Sequence, residues 1–475
     1  MGAIEKTPDV PNEARDTVAE LMSRARAAMA EFRNTDQAAI DDAVTALAWS
    51  IYKPENAKRL AELAVEVTGL GNVESKIIKN QRKTFGTLRD LMRVRSTGII
   101  EEIPEKGLVK YARPVGVVGA ITPSTNPSAT PVNKAMFALK GGNAVIIAPS
   151  PLAWKPTNET VEAMRAELKK CGHPEDLVQI VPKPVNRERT AELMRQVDLI
   201  VCTGSQNNVR QAYSSGTPAI GVGAGNVPVI IDETADLDDA AAKIRASKIF
   251  DNATSCSSEN SVIIVDAVYD KAIRALEKAG AYMATPAEKA QIVEVLWVGG
   301  NLNRDIIAKD AAICAQAFGL PKEAEAKDFF LVEETGFGKA HPLSGEKLSL
   351  VLTVYRARDF EHAKALVRQQ LDYQGRGHSC GLHTGLPDRA HELAQEIDVV
   401  RVLVNQPHTF ANGGGFDTGL NFTLSMGCGT WGGNSITENL NWKNFINITH
   451  VVTTIPEDRP SEEELFGVYW ARHGK

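Results

Sequence analysis

Aromatic residues are scarce in this chain: 6 Trp, 8 Tyr and 14 Phe among 475 residues. That leaves little for a base-stacking surface. The 53 basic and 59 acidic residues are interspersed and sum to a net charge of −6, so a nucleic-acid footprint is also missing. No apolar run approaches the roughly 20 residues that cross a bilayer, so no membrane contact is expected. The start, Met1 to Thr7, has no apolar core of the signal-peptide kind. Lys6 spoils the myristoylation context after Gly2. Six cysteines, at 171, 202, 256, 314, 380 and 428, show neither CxxC spacing nor a Cys/His metal pattern. No metal site is therefore expected, and the thiols suit a reducing, cytoplasmic compartment. Internal repeats and low-complexity linkers are absent as well.

What is present is ordinary globular composition, 43% hydrophobic and 24% charged. A chain of 475 residues is too long for one core, so two or more domains are expected. The first hundred residues read as helices. Val18, Leu21, Met22, Ala25, Met29 and Phe32 recur at helical spacing, as do Ile40, Val44, Leu47, Ala48 and Ile51. Gly69 and Gly71 close a third helix. Short buried strands then alternate with helices: Val117–Ile121, Asn143–Ile147, Val178–Val181 and Asp198–Cys202, with Thr157 as the cap of a helix running to Cys171. A second alternating region follows Asp232. Its expected strands are Ser261–Val265, Leu348–Val354, Ser379–His383 and Arg401–Val404, with helices near 268–281, 284–297, 359–371 and 387–396. The pattern predicts two doubly wound α/β domains joined near 230–240. Leu108–Arg113 and Ile446–Thr454 read as β arms that pair outside their own domain.

The residues from Ser247 to Ile263 place Cys256 among Thr254, Ser255, Ser257 and Ser258, just before a β-rich run. A free cysteine is most often a buried small hydrophobe. Polar neighbours and partial exposure favour the alternative, a nucleophilic thiolate. Upstream, Thr122-Pro123-Ser124-Thr-Asn126-Pro follows a parallel strand, at the edge where α/β sheets bind ligands. Asn126 is either a helix cap or a donor to an oxyanion. Gly204-Ser205 opens a helix and can approach a phosphate through backbone N–H groups. Gly221-Val222-Gly-Ala-Gly-Asn226 resembles a dinucleotide fingerprint but leads into a strand, not a helix, and so is not one. Gly427 to Ile436 is turn material or a channel wall. His378 is a base or a satisfied structural histidine. Glu346 taken alone is a solvated charge.

In this order the pieces resemble the aldehyde dehydrogenase superfamily, specifically its CoA-acylating branch, from about residue 15 to 450. Ala212 to Asn226, Phe250-Asp-Asn252 and the Gly427-Cys-Gly-Thr-Trp-Gly-Gly-Asn-Ser435 run are similar to the aldehyde dehydrogenase half of bifunctional alcohol/aldehyde dehydrogenases. The resemblance implies an aldehyde dehydrogenase-like α/β fold with two Rossmann-like domains and a β oligomerisation arm. Residues 1–99 and 117–233 would form the dinucleotide-binding domain, 100–116 and 440–475 the oligomerisation hairpin and tail, and 234–439 the cysteine-bearing domain.

The same resemblance makes Cys256 the nucleophile, Asn126 the oxyanion donor and Glu346 the holder of the nicotinamide ribose. It assigns Thr122, Pro123, Ser124, Ala148, Pro149, Ser150, Gly204, Ser205, Gly221 and Val222 to the cofactor, NAD or NADP, with coenzyme A as co-substrate. Hydrolytic relatives carry a general-base glutamate where this chain reads Gly-Val-Gly-Ala from Gly221. The acyl group would then pass to the CoA thiol rather than to water. Thr254, Ser255, Ser257, Asn133 and His378 are expected around the substrate, and extra donors suit an anionic tail. A sulfonated two-carbon aldehyde is the first expectation, since the sequence is similar to acylating sulfoacetaldehyde dehydrogenases; succinate semialdehyde and acetaldehyde follow. A hydrolytic aldehyde dehydrogenase and a non-catalytic protein on this fold are the competing readings. A homodimer or homotetramer is expected from the arms.

Overall fold

In the computed structural model, which describes residues 12–475, the amphipathic spacing of the first hundred residues folds as helices α1 (Asn12–Phe32), α2 (Gln37–Tyr52), α3 (Pro54–Thr68) and α4 (Val73–Met92). The expectations for Met1–Thr7 lie outside the described residues. Val18, Leu21, Met22, Ala25 and Phe32 are buried, as their spacing requires. Asp36 caps α2 by accepting from Ala39 N, Asn72 caps α4 by accepting from Ser75 N, and Gly69 ends α3 in the left-handed region. α4 departs from the apolar stripe: its buried residues include Lys76, Lys79, Asn80, Thr84 and Thr87.

Three larger sheets and one two-stranded hairpin follow. β1 (Gly98–Ile103), β2 (Leu108–Pro114) and the late β17 (Ile446–Val452) form an antiparallel sheet, so the two expected arms pair with each other. β3 (Val117–Thr122), β4 (Ala144–Pro149), β5 (Val178–Ile180), β6 (Leu199–Cys202) and β7 (Ala219–Gly221) form a parallel sheet of order β5-β4-β3-β6-β7. α5 (Ala129–Lys140), α6 (Trp154–Lys170), α7 (Arg187–Gln196) and α8 (Gln206–Ser214) connect these strands. Its strands are buried almost throughout, the pattern of a sheet covered on both faces.

The second parallel sheet runs β10-β13-β14-β9-β8-β15-β16. It comprises β8 (Val227–Ile231), β9 (Glu259–Val265), β10 (Ala281–Met283), β13 (Phe329–Glu333), β14 (Val351–Ala357), β15 (Cys380–His383) and β16 (Val402–Val404). β11 (Trp297–Val298) and β12 (Asn301–Leu302) make a small hairpin. Helices α9 (Leu237–Ile249), α10 (Tyr269–Lys278), α11 (Pro286–Leu296), α12 (Ala311–Ala317), α13 (Phe360–Tyr373), α14 (Arg389–Glu396) and α15 (His408–Asn412) belong to this half. A last helix, α16 (Glu462–His473), follows β17 and buries none of its residues.

Four features differ from the sequence reading. The switch between sheets falls at 222–226, because β8 already pairs with β9 and β15; a join at 233/234 would cut a strand from its own sheet. β14 begins at Val351, three residues late, because Leu348 has φ of 45° and cannot extend a strand. Thr157 is not a cap: α6 starts at Trp154, and the Thr157 hydroxyl donates to Pro127 O. β10, three residues at the sheet edge, is too short to announce itself, whereas β13 carries the apolar run Phe329–Val332 that the expected strands omit.

The halves meet end to end. The first sheet reverses its winding between β3 and β6, and the crevice at their carboxyl ends is the expected place for a ligand. Just ahead of β8 and β9, Gly225 packs on the Cys256 backbone, and past the end of β6 Thr203 Oγ1 meets Ser425 Oγ of the late loop.

Candidate active site

Three consecutive non-glycine residues, Asp251, Asn252 and Ala253, have φ between 50° and 59°. Such strain persists only where surroundings over-determine it. Here Asp251, fully buried, receives Lys79 Nζ at 2.6 Å, Lys76 Nζ at 3.1 Å and the Asn72 N–H at 3.1 Å. Burial pushes its carboxyl up, but Lys79 and Lys76 more than offset that and hold it below the usual range. Burial likewise drops Lys76 to about 8. The kink swings Thr254 to Ser258 toward the crevice just ahead of β9, leaving Cys256 partly exposed.

α4 holds the other loop too. Lys76 Nζ donates to Thr125 O at 2.9 Å, and Lys79 Nζ donates to Asn126 Oδ1 at 2.8 Å. One helix thus fixes both the asparagine of the first half and the cysteine segment of the second. Asn126 is no cap: its carbonyl takes the Thr130 N–H, while its side-chain oxygen is occupied by Lys79. That leaves Nδ2, with only a long 3.3 Å contact to Thr125 Oγ1, as a donor. The Cys256 N–H has no acceptor among the described residues and is a second donor. Gly225 lies against the Cys256 backbone so tightly that a Cβ there would overlap the Cys256 carbonyl. Asn226 pins that glycine loop by donating to Ser344 O and Gln374 O.

Burial pushes the Cys256 thiol up to about 12; the Glu346 carboxylate and Cys428 add to the rise, while Arg401 and the Ser257 hydroxyl oppose it. The Glu346 carboxyl, which accepts no hydrogen bond among the described residues, is itself raised by burial to about 7. The buried Arg401 donates to His378 O, Gly427 O and Asn439 Oδ1, fastening the glycine-rich loop behind the cysteine. Cys428 of that loop packs against Gly223.

The expected cofactor residues line the crevice ends of the first sheet. Thr122 ends β3 with a buried Oγ1 that has no partner among the described residues, and Pro123 and Ser124 continue from it partly exposed. Ala148 and Pro149 end β4, and Ser150 N ties to Thr122 O. Ser205 caps α8, accepting from Asn208 N, and Gly204 before it has only the Asn208 side chain within ordinary contact of its Cα face. An orphaned hydroxyl, a helix N-terminus beside a glycine and an unpaired carboxyl at Glu346 fit a dinucleotide with its pyrophosphate and ribose diols. Gly221 takes another part: a Cβ there would strike Val209, and its N–H donates to Tyr213 OH, so it lets α8 pack. Val222, buried beside it, leaves the 221–226 segment without any carboxylate.

A cleft of about 440 Å³, counting its open mouth, lies beside Asn126, with Ser255, Ser257, Phe250, Leu424 and Met426 in its walls. Three residues expected in those walls are elsewhere. Thr254 is buried and donates to Asp251. Asn133 is buried between Thr87 Oγ1 and Leu424 N, shaping the wall from behind. His378 is buried against Ser379, held well below its usual value by desolvation, and too enclosed to touch a substrate. Lys79, Arg82 and Lys83 of α4, which the sequence reading passed over, do face the cleft. The signal for them was present: Lys76, Lys79, Arg82 and Lys83 share one face at helical spacing. Among the described residues, no group of three or more His, Cys, Asp or Glu could hold a metal ion.

A strained cysteine loop against an asparagine donor, between two doubly wound sheets, is the constellation of an aldehyde-oxidising thiol enzyme. Residues 4–292 match the aldehyde dehydrogenase family model, and the chain belongs to the aldehyde dehydrogenase family. It is 52% identical over 463 residues, 97% of this chain and 94% of the relative, to an acylating sulfoacetaldehyde dehydrogenase of Cupriavidus necator. It is 39% identical over 453 residues, 95% of this chain and 99% of the relative, to an acetylating succinate-semialdehyde dehydrogenase of Clostridium kluyveri. Among solved structures it is similar to an acetylating aldehyde dehydrogenase of Geobacillus thermoglucosidasius, at 33% identity with a TM-score of 0.90, covering 96% of this chain and 100% of that one.

Proposed function

We propose that this protein converts sulfoacetaldehyde, CoA and NAD(P)⁺ to sulfoacetyl-CoA, NAD(P)H and a proton, through a thioester on Cys256. The carrying observation is that Asn126, its side-chain oxygen held by Lys79, lines the same cleft as Ser255 and Ser257, which flank Cys256, while Asn126 Nδ2 has only a long contact and the Cys256 N–H no acceptor among the described residues. The Cys256 sulfur bonds to the aldehyde carbon, and the electron pair of the C=O goes to an oxygen held by those two donors. When bound, the nicotinamide dinucleotide supplies the hydride acceptor, held at Thr122, Ser150, Gly204, Ser205 and Glu346. As the C=O re-forms and hydride leaves, Cys256 carries the acyl group. The CoA thiolate then takes that carbon and expels the Cys256 thiolate.

Gly221, where the glutamate of the hydrolytic Glu-Leu-Gly-Gly motif would fall, leaves no carboxylate in the 221–226 segment to activate water. That supports transfer to CoA, as does the acylating name of the Cupriavidus necator relative. That relative and the polar wall of Ser255 and Ser257 favour the sulfonated aldehyde; succinate semialdehyde comes second. The enzyme is proposed to work in the cytoplasm as a dimer or a dimer of dimers built on the three-stranded arm. No described helix is long and apolar enough to cross a membrane.

NAD(P)H production across sulfoacetaldehyde, succinate semialdehyde and acetaldehyde, with and without CoA, tests the reading. The expected result is strict CoA dependence with the highest kcat/KM for sulfoacetaldehyde. Equal rates without CoA would overturn the acyl transfer, and a clear preference for acetaldehyde would overturn the substrate.

A further inference from the structure

The cleft beside Cys256 holds charge that neither the oxyanion pair nor hydride transfer uses. Its α4 wall presents three cations with different surroundings. Lys79 is matched by Asp251. Lys83 donates to Gly413 O at 2.7 Å and forms no ion pair among the described residues. Arg82 has neither a hydrogen bond nor an ion pair among the described residues, and Asp417 acts on it only through space. Its guanidinium is instead held by aromatic faces, 5.3 Å from Phe410, 5.7 Å from Phe416 and 5.3 Å from Phe422. Stacking fixes the plane of a guanidinium without using its five N–H donors.

Arg89, one face-repeat further along α4, shows the contrast. It stacks on the same Phe416 and Phe422, but its charge is met by Asp90 at 2.7 Å. If Arg82 served only to clamp the aromatic loop, a similarly matched arginine would do. An unmatched cation in a partly desolvated cleft is costly until an anion arrives.

We propose that Arg82, assisted by Lys83, is the counter-ion for the anionic tail of the aldehyde, so that the carbonyl end lies at Cys256 and the sulfonate end at α4. The proposal rests on the sulfonated-aldehyde reading above. A guanidinium fork offers two parallel N–H donors to two oxygens of a tetrahedral sulfonate. The remaining protons of Lys83 are at hand for the third. Burial, with Arg82 and Lys79 adding to it, pulls Lys83 down to about 7, a value that an arriving anion raises. Arg82 is a specificity residue here, since the bond-making atoms are Cys256 and the carbonyl.

The test compares Arg82→Gln and Arg82→Lys with the parent enzyme. The readout is the ratio of kcat/KM for sulfoacetaldehyde to that for acetaldehyde, which has no tail. Arg82→Gln is expected to cut the ratio about 10²-fold through KM, the size of a lost charged hydrogen-bond pair; Arg82→Lys recovers part of it. A ratio that stays constant while both activities fall would make Arg82 a clamp and overturn the proposal, as would no change at all. Should Arg82→Gln lose all turnover, Arg82→Lys decides in the same way, by a lowered or an unchanged ratio. Ethanesulfonate as a competitive inhibitor against acetaldehyde separates this proposal from the substrate reading. If the parent enzyme does not turn over sulfoacetaldehyde, the substrate reading fails. Arg82-dependent inhibition by ethanesulfonate would still uphold the subsite, and inhibition that is absent or untouched by Arg82→Gln would overturn it.

Discussion

Replacing Lys79 by Met separates two tasks that one ammonium performs. Its Nζ reaches Asn126 Oδ1 at 2.8 Å and Asp251 Oδ2 at 2.6 Å. Losing the first contact frees the Asn126 amide to turn, so Nδ2 is no longer aimed at the developing oxyanion. The loss in kcat is bounded by deletion of the donor itself, about 2.7–4 kcal/mol or 10²–10³-fold. A free amide still visits the productive orientation, so a fall of about 10-fold to 100-fold is expected. Losing the second contact leaves buried Asp251 with Lys76 as its one remaining cation, at 3.1 Å. Breaking a buried pair outright costs about 3–5 kcal/mol; with Lys76 still present, about 2–3 kcal/mol is expected.

The assay is a double-variant cycle. kcat and the urea midpoint are measured for Lys79→Met, Asn126→Ala and the two together. If Lys79 acts on the reaction through Asn126, the double variant has the kcat of Asn126→Ala and the stability loss of Lys79→Met. Rate losses that multiply would refute action through Asn126 alone and assign the remainder to the cysteine segment that Lys79 holds through Asp251 and Thr254.

Three other expectations follow from the geometry. Cys256→Ala abolishes CoA-dependent turnover; residual turnover of the purified variant would displace Cys256 as nucleophile. With the Cys256 thiol raised to about 12, its alkylation by iodoacetamide in the absence of nucleotide climbs with pH through pH 9 without a plateau, and Glu346→Gln, by removing a nearby negative charge, speeds it about tenfold for each pKa unit recovered; a plateau below pH 8 in the parent would contradict this. Lys134, fully buried and donating to Ile121 O and Val201 O, is pulled by burial to about 7. The unfolded chain therefore binds more protons than the folded one between pH 7 and the ordinary lysine value, so the parent's stability relative to Lys134→Met rises with pH across that window and is flat below it; chemical denaturation at pH 6, 7, 8 and 9 measures the slope, and a falling difference would refute it.

Much of this protein was legible in its residues. The apolar spacing of α1 and α2 and the short buried strands already implied the α/β architecture, and the order of Asn126, the glycine loops and Cys256 pointed to the residue proposed here as nucleophile. Chemistry-bearing residues are readable because their type and immediate neighbours carry the signal. Three-dimensional packing alone decided which polar residues reach the cleft. Thr254, Asn133 and His378 look like pocket donors in sequence, yet their partners, Asp251, Thr87 with Leu424, and Ser379, turn them into framework. The α4 cations look like a solvated face, yet Asp251, 172 residues or more further on, buries two of them, and three phenylalanines from 410–422 enclose a third. The physical reason is reach. Secondary structure and local chemistry are set within a few residues, whereas the partner of a buried charge comes from wherever the chain returns, and no local pattern encodes that return.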